Sequence, residues 1–178
     1  KTYGTDRPDL RENPEDPNEL AFCWVIDFPF FEKTESGAWT FTHNPFSAAM
    51  PEFEEQLRKG EDVESIIAAQ YDVALNGFEI GGGSIRSHQP EMLRSIFSIM
   101  GYSEEEIEDS VGHMIEALSY GAPPHGGIAW GLDRLVAILS AEPNIREVIA
   151  FPKTGDAKDP LMNAPSSVAF EQLHELSL

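Results

Sequence analysis

Apolar and polar residues follow two rhythms along this chain. Around Asn76-Gly77, the runs YDVAL and FEI are short, apolar and β-prone. This is the strongest short signal for a hairpin, because a two-residue type I′ turn needs positive φ at both central positions. From Pro90 to Gly101, by contrast, Met92, Leu93, Ile96, Phe97 and Met100 recur at three- and four-residue spacing, which predicts a helix. Ser103 with Glu106 forms a capping box that opens another helix, and Gly121 can close it. Leu135, Val136, Ile138 and Leu139 give an apolar face to a helix starting near Leu132. Helix is also expected from Pro51 to Ala69, broken in two by Gly60. A buried strand interrupted by Pro29 is expected from Val25 to Phe31, a second strand from Ala38 to Thr42, and a short buried strand just before Gly131. The pattern as a whole is α+β, an antiparallel sheet flanked by helices.

The hairpin carries candidate chemistry. With the turn at Asn76-Gly77, Leu75 faces Phe78, Ala74 faces Glu79 and Asp72 faces Gly81, so Asp72 lies diagonal to Glu79 on one face. Diagonal neighbours are roughly 7–8 Å apart, a gap two carboxylates close by gripping a cation. Hard oxygen ligands suit Mg²⁺, which usually takes one or two carboxylates and completes its shell with waters and substrate phosphates, so a nucleoside triphosphate is implied. A solvated acidic face is the plainer alternative. Gly81, Gly82 and Gly83 leave room for close approach of a ligand, though they equally suit a bulge or a loop. Arg86, at the strand's continuation, offers a planar fork for a carboxylate or phosphate.

A second stretch, GAPPHGGIAWGLDRLVAIL, reads as a turn, a strand and a helix with Arg134 in its first turn. The positive end of the helix dipole disfavours a cation there, so a bound phosphate accounts for Arg134, as would a salt bridge to one of many acidic neighbours.

These segments resemble bacterial-type aspartyl-tRNA synthetases. GIAWGLDRL is similar to the third signature motif of the class II synthetases, and YDVALNGFEIGGGSIRSH to the aspartate-specific strand pair before it. WVIDFPFFE, THNPF and AFPKTGDAKDPLMNAPS resemble further stretches in the same order. The resemblance implies part of a class II catalytic core that activates L-aspartate with ATP and Mg²⁺ and transfers it to tRNA(Asp), with tRNA(Asn) left open. It implies that Arg134 contacts the γ-phosphate and that Gly131, Leu132 and Asp133 complete that turn. Glu79 is implied as an ATP and Mg²⁺ contact with Asp72 as its metal-binding companion. Arg86 is implied to read the aspartate side chain, with His43 and Gly127 lining the pocket. Asn44 stands where family members often carry a second histidine. The KTYGTDRPDLR segment resembles the middle of the family's catalytic domain, which implies a fragment, inactive alone, of an enzyme that is a homodimer at full length. Residues 11–21 read as a linker where an insertion domain is usual. An asparagine-synthetase-like enzyme and a non-catalytic paralogue are the alternatives.

Composition narrows the partners. The 178 residues carry 31 acidic and 12 basic side chains, a net charge of −19, which argues against this segment being a general nucleic-acid binder. One cysteine, Cys23, excludes an internal disulfide, fits a reducing cytoplasm, and is expected as a small buried thiol. No apolar run is long enough to span a membrane.

Overall fold

The hairpin forms as its turn chemistry dictates. In the computed structural model, which describes residues 11–14 and 16–177, Asn76 (φ 50°) and Gly77 (φ 85°) make the turn between Gln70–Leu75 and Phe78–Ile85. The Asn76 side-chain oxygen also accepts the Ala21 N–H at 2.9 Å. The first ten residues, which hold most of the KTYGTDRPDLR segment, lie outside the description.

Numbered in chain order, the strands are β1 (Phe22–Val25), β2 (Phe28–Pro29), β3 (Phe31–Lys33), β4 (Trp39–Phe41), β5 (Ile67–Ala68), β6 (Gln70–Leu75), β7 (Phe78–Ile85) and β8 (Gly126–Trp130). A four-stranded antiparallel sheet runs in the order β1-β6-β7-β8, beside the two-stranded ribbons β2-β5 and β3-β4. The helices are α1 (Glu54–Lys59), α2 (Pro90–Ile99), α3 (Glu104–Ser119), α4 (Leu132–Leu139) and α5 (Phe170–Glu175).

Two cores meet on α2. Met92 and Ile96 pack with Phe30, Phe31, Ala49, Leu57, Ile66 and Ala68, while Leu93 and Phe97 pack with Ile107, Val111 and Ile115 of α3. Burying one such side chain contributes about 1.5–3 kcal/mol. The capping box of α3 is complete: Ser103 Oγ accepts the Glu106 N–H, and the Glu106 carboxylate accepts the Ser103 N–H at 2.8 Å.

Several expected elements are corrected. The expected strand from Val25 to Phe31 ends at Val25, because Asp27 takes a left-handed turn (φ 60°) and Pro29 has no N–H; the chain continues in the separate ribbons. The helix expected up to Ala69 stops at Gly60, and Asp62 (φ 43°) and a 3₁₀ turn lead into β5; Ile66, just before this strand, and Ala68 within it are buried at the two-residue period of extended chain. β1 and β8 are edge strands and are not buried: Phe22, Cys23 and Trp24 are exposed, and of β8 only Ile128 is half-buried. Cys23 is therefore an exposed thiol, contrary to the buried one expected from its FCWVI run.

The described residues fall into two compact units, one built on Leu20–Gly131 and the other on Asn13–Glu19 with residues 132–177. Within the second unit, Ala137 is the buried residue of α4, Leu135 and Ile138 are half-buried, and Val136 and Leu139 are exposed, so the apolar face is narrower than its sequence suggests. Among the described residues no helix is long and apolar enough to cross a membrane.

Candidate active site

The register of β6 and β7 is regular for two pairs beyond the turn, Leu75 opposite Phe78 and Ala74 opposite Glu79, and then slips. Val73 faces Gly81 and Asp72 faces Gly82, which leaves Ile80 as the extra residue of a bulge. The expected facing of Asp72 with Gly81 is thereby corrected by one residue. The slip has a large consequence, because side chains alternate along a strand. Without it Glu79 and Arg86, seven positions apart, would point to opposite faces; with it Glu79, Gly82, Ser84 and Arg86 share the face that also bears Gln70 and Asp72.

The two carboxylates converge over Gly82. A Cβ built on Gly82 would lie 2.5 Å from Asp72 Oδ1 and 3.5 Å from Glu79 Oε1. Burial, and then the Glu79 charge, push the Asp72 carboxyl above its ordinary 3.8, while His43 acts in the opposite direction. Asp72 Oδ1 is also buried without a hydrogen-bond partner. The other such side-chain atoms among the described residues are Thr42 Oγ1, Gln70 Nε2 and Ser84 Oγ, so three of the four sit on this one sheet face. Buried polar groups normally find partners, and unmet capacity gathered on one face gives a polar ligand something to bind.

Because the folded state raises the Asp72 pKa, ionising this carboxyl costs stability. The cost is absent below 3.8, grows as pH rises through the interval up to the native value, and is constant above it. Asp72→Asn is therefore expected to raise the thermal midpoint of the chain near neutral pH, with the gain vanishing in acid. A variant that is less stable at neutral pH would contradict this.

His43 and Asn44 belong to the loop that follows β4. Asn44 Oδ1 accepts the Phe46 N–H at 3.0 Å, the Ser47 hydroxyl at 3.2 Å and Arg86 Nη1 at 3.3 Å. Ser47 bridges to Arg86 through the backbone, and the Arg86 N–H donates to the His125 carbonyl at 2.9 Å. Gly127 lies opposite Ser84 in β8, and Tyr71 OH donates to its carbonyl at 3.0 Å. Gly131 closes β8 by donating its N–H to Ile80 O at 2.8 Å. Asp72, Glu79, His43, Arg86 and Gly127 are thus gathered on or beside one sheet face. Leu132, Asp133 and Arg134 form the first turn of α4, in the second unit. Residues missed by sequence reasoning are Gln70 and Ser84, which carry no motif, and the link from Asn44 to Arg86, which the Asn44-Pro45 turn signal hints at.

The pattern finds its counterpart among known proteins. The family model for tRNA synthetases class II (D, K and N) matches residues 1–155. The chain belongs to this family. An aspartate–tRNA(Asp/Asn) ligase of Chlorobium chlorochromatii is 53% identical over 164 residues, 92% of this chain and 27% of the relative. One from Pelagibacter ubique is 51% identical over the same shares. The chain thus spans about a quarter of the length of these curated relatives. Among solved structures, an aspartyl tRNA synthetase from Entamoeba histolytica superposes with a TM-score of 0.57 at 24% identity, covering 78% of this chain and 24% of that one. The asparaginyl-tRNA synthetase of the same organism, in complex with asparaginyl-adenylate, gives 0.57 at 23% identity, covering 78% and 26%. At that identity the superpositions establish the fold, the antiparallel sheet with flanking helices of class II catalytic domains.

Proposed function

We propose that the chain supplies the amino-acid pocket and part of the nucleotide site of an aspartate–tRNA ligase. The observation that carries this reading is the bulged hairpin, which turns two converging carboxylates and an arginine onto one sheet face. Arg86 offers the side-chain carboxylate of L-aspartate two parallel hydrogen bonds, with His43 and Gly127 bordering the pocket. Arg134, with Gly131, Leu132 and Asp133, takes the γ-phosphate side of ATP.

Asp72 and Glu79 fit Mg²⁺: both are hard oxygen donors, Asp72 Oδ1 lacks a protein partner, and both carboxylates reach over the bare Gly82. Among the described residues no third His, Cys, Asp or Glu completes a cage, which suits an ion that takes the rest of its shell from phosphates and water. When bound, the ion would neutralise phosphate charge. In the whole enzyme the aspartate α-carboxylate attacks the α-phosphorus in line, the new O–P bond forming as the bond to pyrophosphate breaks, and a hydroxyl of the terminal tRNA ribose then displaces AMP. The part of this chain's residues is to hold the aspartate side chain and the γ-phosphate. Positioning and charge neutralisation carry these steps, so no covalent nucleophile is needed. The tRNA, tRNA(Asp) and in some relatives by name also tRNA(Asn), is gripped mostly by regions outside this chain. Arg58, Lys59, Arg94 and Lys158 are each committed to an acidic neighbour. The whole enzyme is read as a cytoplasmic homodimer, with residues 11–21 a linker where an insertion domain is usual, naturally absent or excised, and with the isolated chain inactive.

The test uses a completed enzyme, this chain joined to the regions of the Chlorobium chlorochromatii relative outside the match. Aspartate-dependent exchange of pyrophosphate into ATP is expected, with asparagine a poor substitute because an amide meets Arg86 without charge. Exchange driven by another amino acid, or none while the unmodified relative is active, refutes the reading.

A further inference from the structure

We infer that Asn44 is a positioning residue that steers the Arg86 guanidinium toward a carboxylate ligand without neutralising it. The inference rests on the reading of Arg86 as the aspartate-recognising group. Three donors converge on Asn44 Oδ1, and two of them, the Phe46 N–H and the Ser47 hydroxyl, belong to its own loop. They close a turn around the buried Pro45 and fix where the oxygen sits. Ser47 is fully buried and its backbone pairs with Arg86, while the Ser87 N–H donates to Phe46 O at 2.9 Å, so loop and strand end are laced together. The oxygen is thereby held at a set place relative to the Arg86 backbone.

The third donor, Arg86 Nη1, makes the longest of the three bonds, at 3.3 Å. A carbonyl oxygen has two lone pairs, which the two loop donors already engage, so Arg86 is the weakly held third. Arg86 is aimed, and four of its five N–H groups remain for a ligand. The neutrality of its partner is the informative part. In a chain with 31 acidic side chains, no carboxylate among the described residues makes an ion pair with Arg86, as none does with Lys33, Arg146 or Lys153, but of these four only Arg86 has its side chain within hydrogen-bonding reach of a side-chain amide oxygen. Aspartate at position 44 would accept the same two loop hydrogen bonds and close the same turn. It would also cancel the charge that draws the ligand and repel the ligand's carboxylate. The amide keeps the geometry and spares the charge.

Asn44→Asp is the discriminating substitution, since Asn44→Ala would loosen the loop as well. In the completed enzyme it should raise the KM for aspartate at least tenfold while changing the KM for ATP little, and the thermal midpoint of the chain should stay near that of the parent. In the chain alone, followed by NMR, the introduced carboxyl should titrate below the ordinary aspartate range, and return to it when Arg86→Leu is added. His43, next in the chain, His125, whose carbonyl accepts the Arg86 N–H, and His88, two residues on, are followed in the same titration. An ordinary titration unaffected by Arg86→Leu overturns the inference, as does an unchanged aspartate KM. If Arg86→Leu raises that KM and Asn44→Asp does not, only this inference fails. If Arg86→Leu leaves it unchanged, the proposed function fails with it.

Discussion

Arg86→Leu in the completed enzyme is expected to lower kcat/KM for aspartate by roughly 30-fold to several thousand-fold. That range is the about 2–5 kcal/mol lost when one partner of a hydrogen-bonded charge pair is removed. Leucine keeps much of the stem's volume but leaves the substrate carboxylate with neither charge nor donors. Arg86→Lys should fall between the two, because an ammonium restores charge without the two-pronged geometry. The chain itself should unfold at nearly the parent temperature, since the Arg86 side chain is exposed and its contact is one long hydrogen bond. Steady-state kinetics with aspartate and with ATP as the varied substrate separate the cases. A loss confined to ATP would reassign Arg86 to the nucleotide.

The hairpin is legible in the sequence because Asn76-Gly77 specifies its turn locally, and the capping box of α3 is legible for the same reason. The meeting of Asp72 and Glu79 is also legible, since their distance from the turn places them within reach in either register. That Glu79 and Arg86 share a face is not. It depends on a bulge at Ile80, and nothing in EIGGGSI marks one register over its neighbour, because glycines supply no side chains to fix it. The ribbons β2-β5 and β3-β4 escape notice for a related reason. Strands of two or three residues show no period, and Ile66 and Ala68 lie within a run that fits a helix equally well. Cys23 shows the limit of reading burial from apolar neighbours, since FCWVI forms an edge strand with exposed side chains on both faces. The steering of Arg86 by Asn44 spans 42 positions and needs the fold to be seen.

The glycine run separates structure from function in a way that substitution can expose. The sequence suggests that all three glycines admit a ligand, yet their surroundings differ. A Cβ on Gly83 would land on the Gly127 carbonyl oxygen and within 2.9 Å of the Ile128 Cα, both backbone atoms of β8. Neither can move without parting the two strands, so Gly83→Ala should cost at least the about 1–3 kcal/mol of an overpacked interior and lower the thermal midpoint of the chain by several degrees. On Gly82 the added atom meets instead the far ends of the Asp72 and Glu79 side chains rather than backbone atoms. Gly82→Ala should therefore leave the midpoint nearly unchanged while pushing the two carboxylates apart. In the completed enzyme, aspartate-dependent pyrophosphate exchange should fall roughly 10- to 100-fold, the usual loss when groups that shape a metal site are displaced. Raising the Mg²⁺ concentration should recover part of it. A Gly82→Ala enzyme with full activity at limiting Mg²⁺ would remove the two carboxylates from the metal site, and a Gly83→Ala chain as stable as the parent would show that β7 and β8 tolerate separation at that rung.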